Sequence, residues 1–136
     1  MNKKIIIIII AVVLVAGVAA AILLMQPREI KQFYYSPGDA FVTNVLDSDR
    51  LIKTTLVICT NGDQETLISE KNAVIRDTLL QVFRETPEEQ YKSANLQTYL
   101  SDIMVARLNG LFPPEEGGEN AVPRFARIYF NDFVMQ

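Results

Sequence analysis

The hydrophobic pattern of this chain opens with one unbroken apolar run over residues 5–25, which contains no charged side chain. At 1.5 Å rise per residue, a helix of this length spans about 31 Å, close to the hydrocarbon thickness of a bilayer. A soluble helix would show polar residues on one face with a period of 3.6. Six consecutive isoleucines would favour a strand in water, but in lipid the backbone must be paired within the segment. We therefore expect a single transmembrane helix over residues 5–25.

The residues that flank this run predict its orientation. Lys3 and Lys4 precede it, whereas Arg28 and Lys31 follow it with Glu29 between them. Because positive charge is retained in the cytoplasm, we expect residues 1–4 to be a cytoplasmic stub and the rest of the chain to be extracytoplasmic.

A cleaved signal peptide is the alternative interpretation of the same run. The alanines at 19–21 resemble a cleavage site, but residues 22–25 continue the apolar run beyond them. The apolar region of a signal peptide is usually only about 7–15 residues long, so the length favours an uncleaved anchor.

After the run the period of the pattern changes several times. Residues 26–38 read as a tether that ends in a Ser-Pro-Gly-Asp turn, and residues 39–136 as one domain. Apolar residues alternate with polar ones in the segments 41–46 and 51–60, which predicts two strands paired as a hairpin through a turn at 47–49.

A helical period follows these strands. It predicts a helix over residues 65–84 and a second helical region that ends near Asn109, with Gly110 as its stop. Thr86, Pro87 and Glu89 fit the N-cap, the first helical position and the N3 position of a capping box.

The last segment, 122–136, reads as a strand that is apolar on both faces. This pattern favours a central position in the sheet, covered by helices. The expected fold class is therefore α+β: an N-terminal transmembrane helix, then a small sheet packed with two or more helices.

The amino-acid composition of the chain argues against most kinds of catalytic site. The chain has no histidine, so it cannot form a Ser-His or Cys-His pair or a histidine-ligated zinc site. Its single cysteine, Cys59, cannot form an intramolecular disulfide and lies in an apolar strand, which favours packing over reactivity. Asp47 and Asp49 are interpreted as turn residues because the glycine and glutamate of a calcium loop are missing. We expect no catalytic, cofactor-binding or metal-binding residues.

The charge of the chain limits its partners. With Lys3 and Lys4 set aside, residues 26–136 carry 11 basic and 16 acidic side chains, a net charge of −5. An acidic domain does not predict binding to nucleic acid, nor does it predict a basic patch for anionic lipid.

Several short motifs carry a resemblance to a known family. They are Phe41-Val42-Thr43-Asn44-Val45, Arg50-Leu51-Ile52-Lys53, Ile75-Arg76-Asp77, Leu108-Asn109 and the nine-residue ending Ile128-Tyr129-Phe130-Asn131-Asp132-Phe133-Val134-Met135-Gln136. In order and spacing they resemble the flagellar basal-body-associated protein FliL family, and the resemblance covers nearly the whole chain. The brief tether departs from the family pattern and leaves open how far the domain stands from the membrane.

The resemblance implies a single-pass protein of the cytoplasmic membrane at the flagellar basal body, with an external domain similar to the stomatin/prohibitin type. It also implies a non-enzymatic accessory of the motor, which associates with stator subunits and with other copies of itself in a ring. Such a protein would support flagellar rotation, motility and chemotaxis, with no nucleic acid and no small-molecule substrate as partner. The alternative is a membrane-tethered module that binds a ligand or the cell wall, for which a deep apolar pocket would be the mark.

Six residues are candidates for interaction or structure. Asn44 belongs to the first motif. Arg76 and Asp77 have no opposite charge three or four positions away on their helix, so each needs solvent or a distant partner. We expect them to tie the helix to the same domain, with a contact to a neighbouring subunit as the functional alternative. Tyr129, Phe130 and Phe133 are expected to lie in the core.

Overall fold

The computed structural model describes residues 2–25, 30–115 and 121–136, and within these ranges the chain folds as α+β. Residues 26–29 of the predicted tether and residues 116–118 of the predicted loop after the last helix lie outside the described residues. The helices and strands, in chain order, are α1 (Lys3–Met25), β1 (Gln32–Tyr35), β2 (Phe41–Asn44), β3 (Leu51–Asn61), α2 (Glu65–Glu70), α3 (Asn72–Glu85), α4 (Glu88–Tyr91), α5 (Leu96–Leu111) and β4 (Phe125–Met135).

Helix α1 is long and apolar enough to cross a membrane, and its side chains up to Ile22 are exposed rather than packed on the domain. A signal sequence would have the same composition, so the uncleaved anchor stays a prediction. The similarity of the folded domain to the stomatin/prohibitin type also stays a prediction.

Strand β3 is the centre of a four-stranded antiparallel sheet. Along one edge it pairs with β4, from Ile52–Met135 to Thr60–Phe125. Along its other edge it pairs with β2 in its first half and with β1 in its second half. The predicted hairpin of β2 and β3 is confirmed.

The prediction of a central position for the last strand is wrong. In the described residues β4 pairs with β3 alone, and its exposure alternates: Ile128 is buried, whereas Tyr129 is 41% exposed. The apolar residues of β4 do occupy both faces, but only one face is covered. The run of aromatic and aliphatic residues in β4 therefore reflects their high propensity for strands and does not indicate that both faces are buried.

Side chains of α5 close part of the free edge of β4. Asn109 accepts a hydrogen bond from the Phe125 N–H (2.9 Å) and donates one to the Phe125 carbonyl (3.0 Å), as a neighbouring strand would. The buried hydroxyl of Ser101 accepts the Ile128 N–H at 3.0 Å. These bonds satisfy backbone groups that an edge strand would otherwise present to another chain.

A bulge bends the far end of β4. Between Lys53 and Thr55 the register shifts, and Asp132 adopts a left-handed φ of 51°. The hydroxyl of Thr54 donates to the Asn131 carbonyl at 3.0 Å, so the irregular backbone keeps a partner. An extra residue of this kind twists an edge strand and ends regular pairing.

The sheet begins inside the segment for which we predicted a tether, because β1 lies at Gln32–Tyr35. The Tyr35 hydroxyl donates to Asp63 (2.9 Å) and accepts the Gln64 N–H (3.1 Å), which fixes β1 to the start of α2. The hydrogen bonds from the Glu65 N–H and from Tyr35 hold the pKa of the Asp63 carboxyl below its usual value. These partners lie some thirty residues away in the chain, so the local pattern contained no sign of them.

The helical predictions need three corrections. The predicted helix 65–84 is broken at Lys71 into α2 and α3. Thr86 does not cap the next helix: its buried hydroxyl donates back to the Val82 carbonyl at 2.6 Å, the alternative that threonine often takes at a helix end. Gly110 lies within α5, which ends one residue later at Leu111.

Helices α3 and α5 lie against one face of the sheet, and α2 and α4 contribute Ile68 and Tyr91 to the same core. Helix α3 packs on β2, and α5 packs on both β4 and α3. The largest fully buried side chains come from the sheet face and from these two helices: Phe83, Phe125, Ile52, Leu56, Ile58, Ile75, Leu79, Leu100, Met104, Leu108, Ile128 and Val45.

The opposite face, here named the open face, has no helix among the described residues. It carries the other positions of the strand alternation and their register partners. These are Gln32, Tyr34, Val42, Asn44, Leu51, Lys53, Thr55, Val57, Cys59, Asn61, Arg127, Tyr129, Asn131 and Val134.

We predict that Leu100→Ala destabilises the domain by about 2–5 kcal/mol, because Leu100 is fully buried between α3 and the sheet and leaves a cavity. Phe130→Ala is expected to cost clearly less than the roughly 3–5 kcal/mol of a core phenylalanine, since Phe130 is half-buried at an edge strand. Urea unfolding of the full chain in detergent, followed by the near-ultraviolet circular dichroism of its tyrosines, measures both. A larger loss for Phe130→Ala than for Leu100→Ala would contradict the assignment of β4 to the edge.

Candidate functional site

Arg76 clamps helix α3 to the loop between β1 and β2. One guanidinium nitrogen, Nη1, donates to the carbonyls of Pro37 (3.0 Å) and Asp39 (2.9 Å). The guanidinium carbon lies 4.2 Å from the centroid of the Phe41 ring, a cation–π distance. The distant partner that Arg76 needs is therefore a pair of backbone carbonyls and an aromatic ring of its own domain.

The loop that receives Arg76 depends on glycine at position 38. Gly38 has a φ of +114°, a conformation that side chains rarely adopt. A Cβ there would lie 3.3 Å from Nη1 of Arg76. The Ser-Pro-Gly-Asp turn predicted from the sequence thus lets backbone carbonyls converge on the guanidinium.

Asp77, the next residue, remains exposed. Its carboxylate accepts a hydrogen bond from Gln81, one turn further along α3, at 3.4 Å. Together with Val42 and Leu80 it borders a surface cavity of about 270 Å³. The expectation that Asp77 also ties the helix to the rest of the domain is wrong, because its hydrogen bond to Gln81 stays within α3. Arg76 holds the domain together, whereas the adjacent Asp77 is exposed to solvent.

Asn44 and Tyr129 both lie on the open face, on strands that flank β3 from opposite sides. The structure therefore does not bring them together. The expectation that Tyr129 lies in the core is wrong. Its ring lies on the open face, 6.2 Å from that of Tyr34, with the Arg127 guanidinium 5.3 Å from its centroid.

Phe130 and Phe133 point to the helix side, where both are half-buried. Their ring centroids are 6.3 Å apart, and Phe133 lies 6.3 Å from Tyr91. Burial raises the pKa of Tyr91 to about 12, so this hydroxyl stays neutral and donates to the Phe83 carbonyl at 2.6 Å. The aromatic cluster is a margin of the core, at the end of the sheet where β4 bulges.

Cys59 lies on the open face and yet is only 1% exposed. Its register partners are Tyr34 on β1 and Arg127 on β4, and the neighbouring Tyr129 extends the cover. This burial raises the pKa of the Cys59 thiol. Sequence reasoning placed Cys59 in a strand but could not see that its cover is a pair of tyrosines from two other strands.

The described residues offer little for ligand chemistry. No group of three or more His, Cys, Asp or Glu in this part of the chain could hold a metal ion. The cavities of the folded domain are open surface depressions, such as one of about 450 Å³ between β2 and Arg84. In these ranges every buried side-chain nitrogen or oxygen has a hydrogen-bond partner, so none is left aimed at an absent ligand.

Comparison with known families decides the assignment. The model of the flagellar basal body-associated protein FliL family matches residues 34–136, from β1 to the last residue of the sequence. The chain belongs to the FliL family. A search of curated proteins gives no match to this sequence. The family match confirms the resemblance carried by the short motifs.

Membership of the FliL family implies an accessory role at the flagellar basal body. The family is structural and is not a known enzyme family. Arg76, Asp77, Asn44 and the aromatic residues of β4 all fall within the matched residues. Sequence reasoning missed Ser101 and Asn109 as partners of β4, although Asn109 stood in one of the motifs; a polar side chain on an otherwise apolar helix face was the available signal.

We predict that Arg76→Lys destabilises the domain by about 1–3 kcal/mol, because lysine keeps the charge but not the planar group that stacks on Phe41 and binds two carbonyls. Asp77→Asn, its neighbour, is the matched control and is expected to change the free energy of unfolding by less than about 0.5 kcal/mol. Urea unfolding measures both, and equal stabilities for the two variants would refute the clamp.

We predict that the Cys59 thiol of the native protein reacts slowly with a disulfide reagent at pH 8, since both burial and a raised pKa keep it from forming thiolate. Tyr34→Ala is expected to speed labelling at least about tenfold by opening the cover over the thiol. Gln32→Ala, on the same strand and face, serves as the control. Labelling of the Tyr34→Ala protein at the native rate would show that another group shields Cys59.

Proposed function

We propose that this protein acts at the flagellar stator as a non-enzymatic scaffold, and that it supports rotation, motility and chemotaxis. The observation that carries the proposal is the family match over residues 34–136, preceded by a helix able to cross a membrane. The FliL family is a structural accessory family and not a known enzyme family, which supports the non-enzymatic part of the proposal.

The proposed topology is a single-pass protein of the cytoplasmic membrane. Residues 1–4 are the cytoplasmic stub, α1 is the span, and the domain that begins with the sheet is extracytoplasmic. Lys3 and Lys4 before the span support this orientation. Confinement of the domain to one side of a membrane also favours side-by-side association of copies.

In this proposal several copies form a ring around a stator subunit. A closed ring requires two different surface patches on each subunit, because its contacts are head-to-tail. Asp77 is the candidate residue for a contact with a neighbouring subunit or the stator, since it is exposed, charged and beside apolar Val42 and Leu80. Arg76 is not, because its donors serve its own domain.

The test uses the full chain with an affinity tag at its N-terminus, expressed in motile cells that lack the untagged protein. After mild crosslinking, the native protein is expected to co-isolate with stator subunits and with other copies of itself. Asp77→Ala is expected to fold normally while recovery of partners and swimming speed fall severalfold. Glu70→Ala, an exposed acidic residue on α2, is the control.

Two outcomes would count against the proposal in different ways. Absence of stator subunits from the isolate of the native protein would overturn the assignment to the stator. Normal recovery and normal swimming for the Asp77→Ala protein would leave the assignment in place and remove Asp77 from the contact.

A further inference from the structure

The open face of the sheet has a composition that the whole domain does not share. None of its strand positions is Asp or Glu, although residues 26–136 carry a net charge of −5. Its two charged side chains, Lys53 and Arg127, are both basic. The nearest acidic group of β4 is Asp132, which lies at the bulge beside Lys53 and Val134 at the rim of this face. The domain is therefore negatively charged overall, whereas its open face is positively charged.

The same face exposes a set of large apolar and aromatic side chains. Tyr34 is 59% exposed, Val42 55%, Leu51 and Val134 43%, and Tyr129 41%. Several large apolar side chains exposed on one face of a sheet indicate a contact with a partner or a membrane. Tyrosines beside lysine and arginine, with aliphatic residues between them, are the chemistry of the membrane–water interface.

The length of the connection to α1 limits where this face can be. Six residues separate Met25 from Gln32, and at about 3.3–3.6 Å per residue they reach at most about 25 Å. A domain of about 100 residues has a radius of gyration of about 13 Å, so the connection is shorter than the domain is wide. The connection therefore keeps the start of β1 within about 25 Å of the end of α1, so the domain can reach the membrane surface. The open face begins with β1, the first element after the span.

We propose that the open face of the sheet docks on the anionic headgroups of the membrane that α1 enters. Lys53 and Arg127 approach the lipid phosphates, while Tyr34, Tyr129 and the exposed valines enter the interfacial region. The outer surface of the helix layer is then turned away from the lipid and left to protein partners, and Asp77, which borders the same cavity as Val42, lies at the margin between the two surfaces. This inference rests on the proposed topology, and it names the lipid surface as the partner of one face.

The experiment uses the absence of tryptophan from the chain. Single tryptophans are introduced into the full-length protein as Tyr34→Trp and Val42→Trp on the open face, and as Val74→Trp on α3, where the native side chain is 47% exposed. Each protein is reconstituted in phosphatidylglycerol–phosphatidylcholine vesicles with bromine atoms near the headgroup end of the acyl chains. Circular dichroism and resistance to alkaline carbonate extraction establish that each protein is folded and inserted.

We expect bromine to quench the tryptophan of the Tyr34→Trp and Val42→Trp proteins about twofold, because interfacial side chains sit within about 5–10 Å of the acyl boundary. The tryptophan of the Val74→Trp protein is expected to stay nearly unchanged. Replacing Lys53 and Arg127 with Gln, or replacing phosphatidylglycerol with phosphatidylcholine, is expected to weaken docking roughly fivefold for each lost charge contact. Two reporter positions on the open face guard against one substitution that fails to fold.

The outcomes separate the two inferences. Inserted protein in which both open-face reporters are quenched no more than the reporter on α3 overturns docking and leaves the anchor standing. Emission of the Tyr34→Trp protein that shifts to the blue with protein density but is insensitive to bromine shows that a second copy covers the face, and also overturns docking. Protein that carbonate extracts from the vesicles overturns both the anchor and the docking that depends on it.

Discussion

The fold depends on the pairing of one strand with all the others. Strand β3 supplies the only backbone partner that each of β1, β2 and β4 has among the described residues. Its buried alternate side chains, from Ile52 to Ile58, belong to the same hydrophobic core as the buried side chains of α3 and α5. Because β3 provides both the hydrogen-bond partners of the sheet and part of the hydrophobic core, it couples strand pairing to helix packing. Loss of β3 would therefore disrupt both the sheet and the helix layer. The pairing of β2 with β3 is local, whereas β1 and β4 pair with β3 over longer separations in the chain.

Much of this architecture was predictable from local pattern. The period-two alternation around Ile52, Leu56 and Ile58 indicated the right strand, and the turn signal before it indicated the right hairpin. Helical periodicity located the segments that contain α3 and α5, but it predicted neither the break at Lys71 nor the failure of Thr86 to cap the next helix. Boundaries of this kind depend on which of several competing hydrogen bonds wins in the folded state.

What could not be predicted had partners far away in sequence. The apolar ending of the chain did not reveal that one side of β4 is met by Ser101 and Asn109 instead of a strand. The candidate residues divided in the same way. Arg76 was correctly expected to have a distant partner. The identity of that partner could not be predicted from the positions of charged residues, because it consists of two backbone carbonyls and an aromatic ring. Tyr129 was placed in the core because aromatic residues usually lie there, and the alternation of the strand put it on the other face.

The hydrogen bonds that Ser101 and Asn109 form with the edge of β4 have a further consequence for a domain held on a membrane. Molecules confined to a plane meet one another at high local concentration, and an uncovered strand edge under such crowding invites endless addition of one sheet to the next. The side-chain amide of Asn109 takes both the donor and the acceptor of Phe125, and so occupies the place where an intruding strand would begin. An assembly with a fixed number of subunits needs its strand edges blocked against further addition as much as it needs attractive contacts between subunits. Asn109 and Ser101, both on α5, block this stretch of the edge without adding a strand.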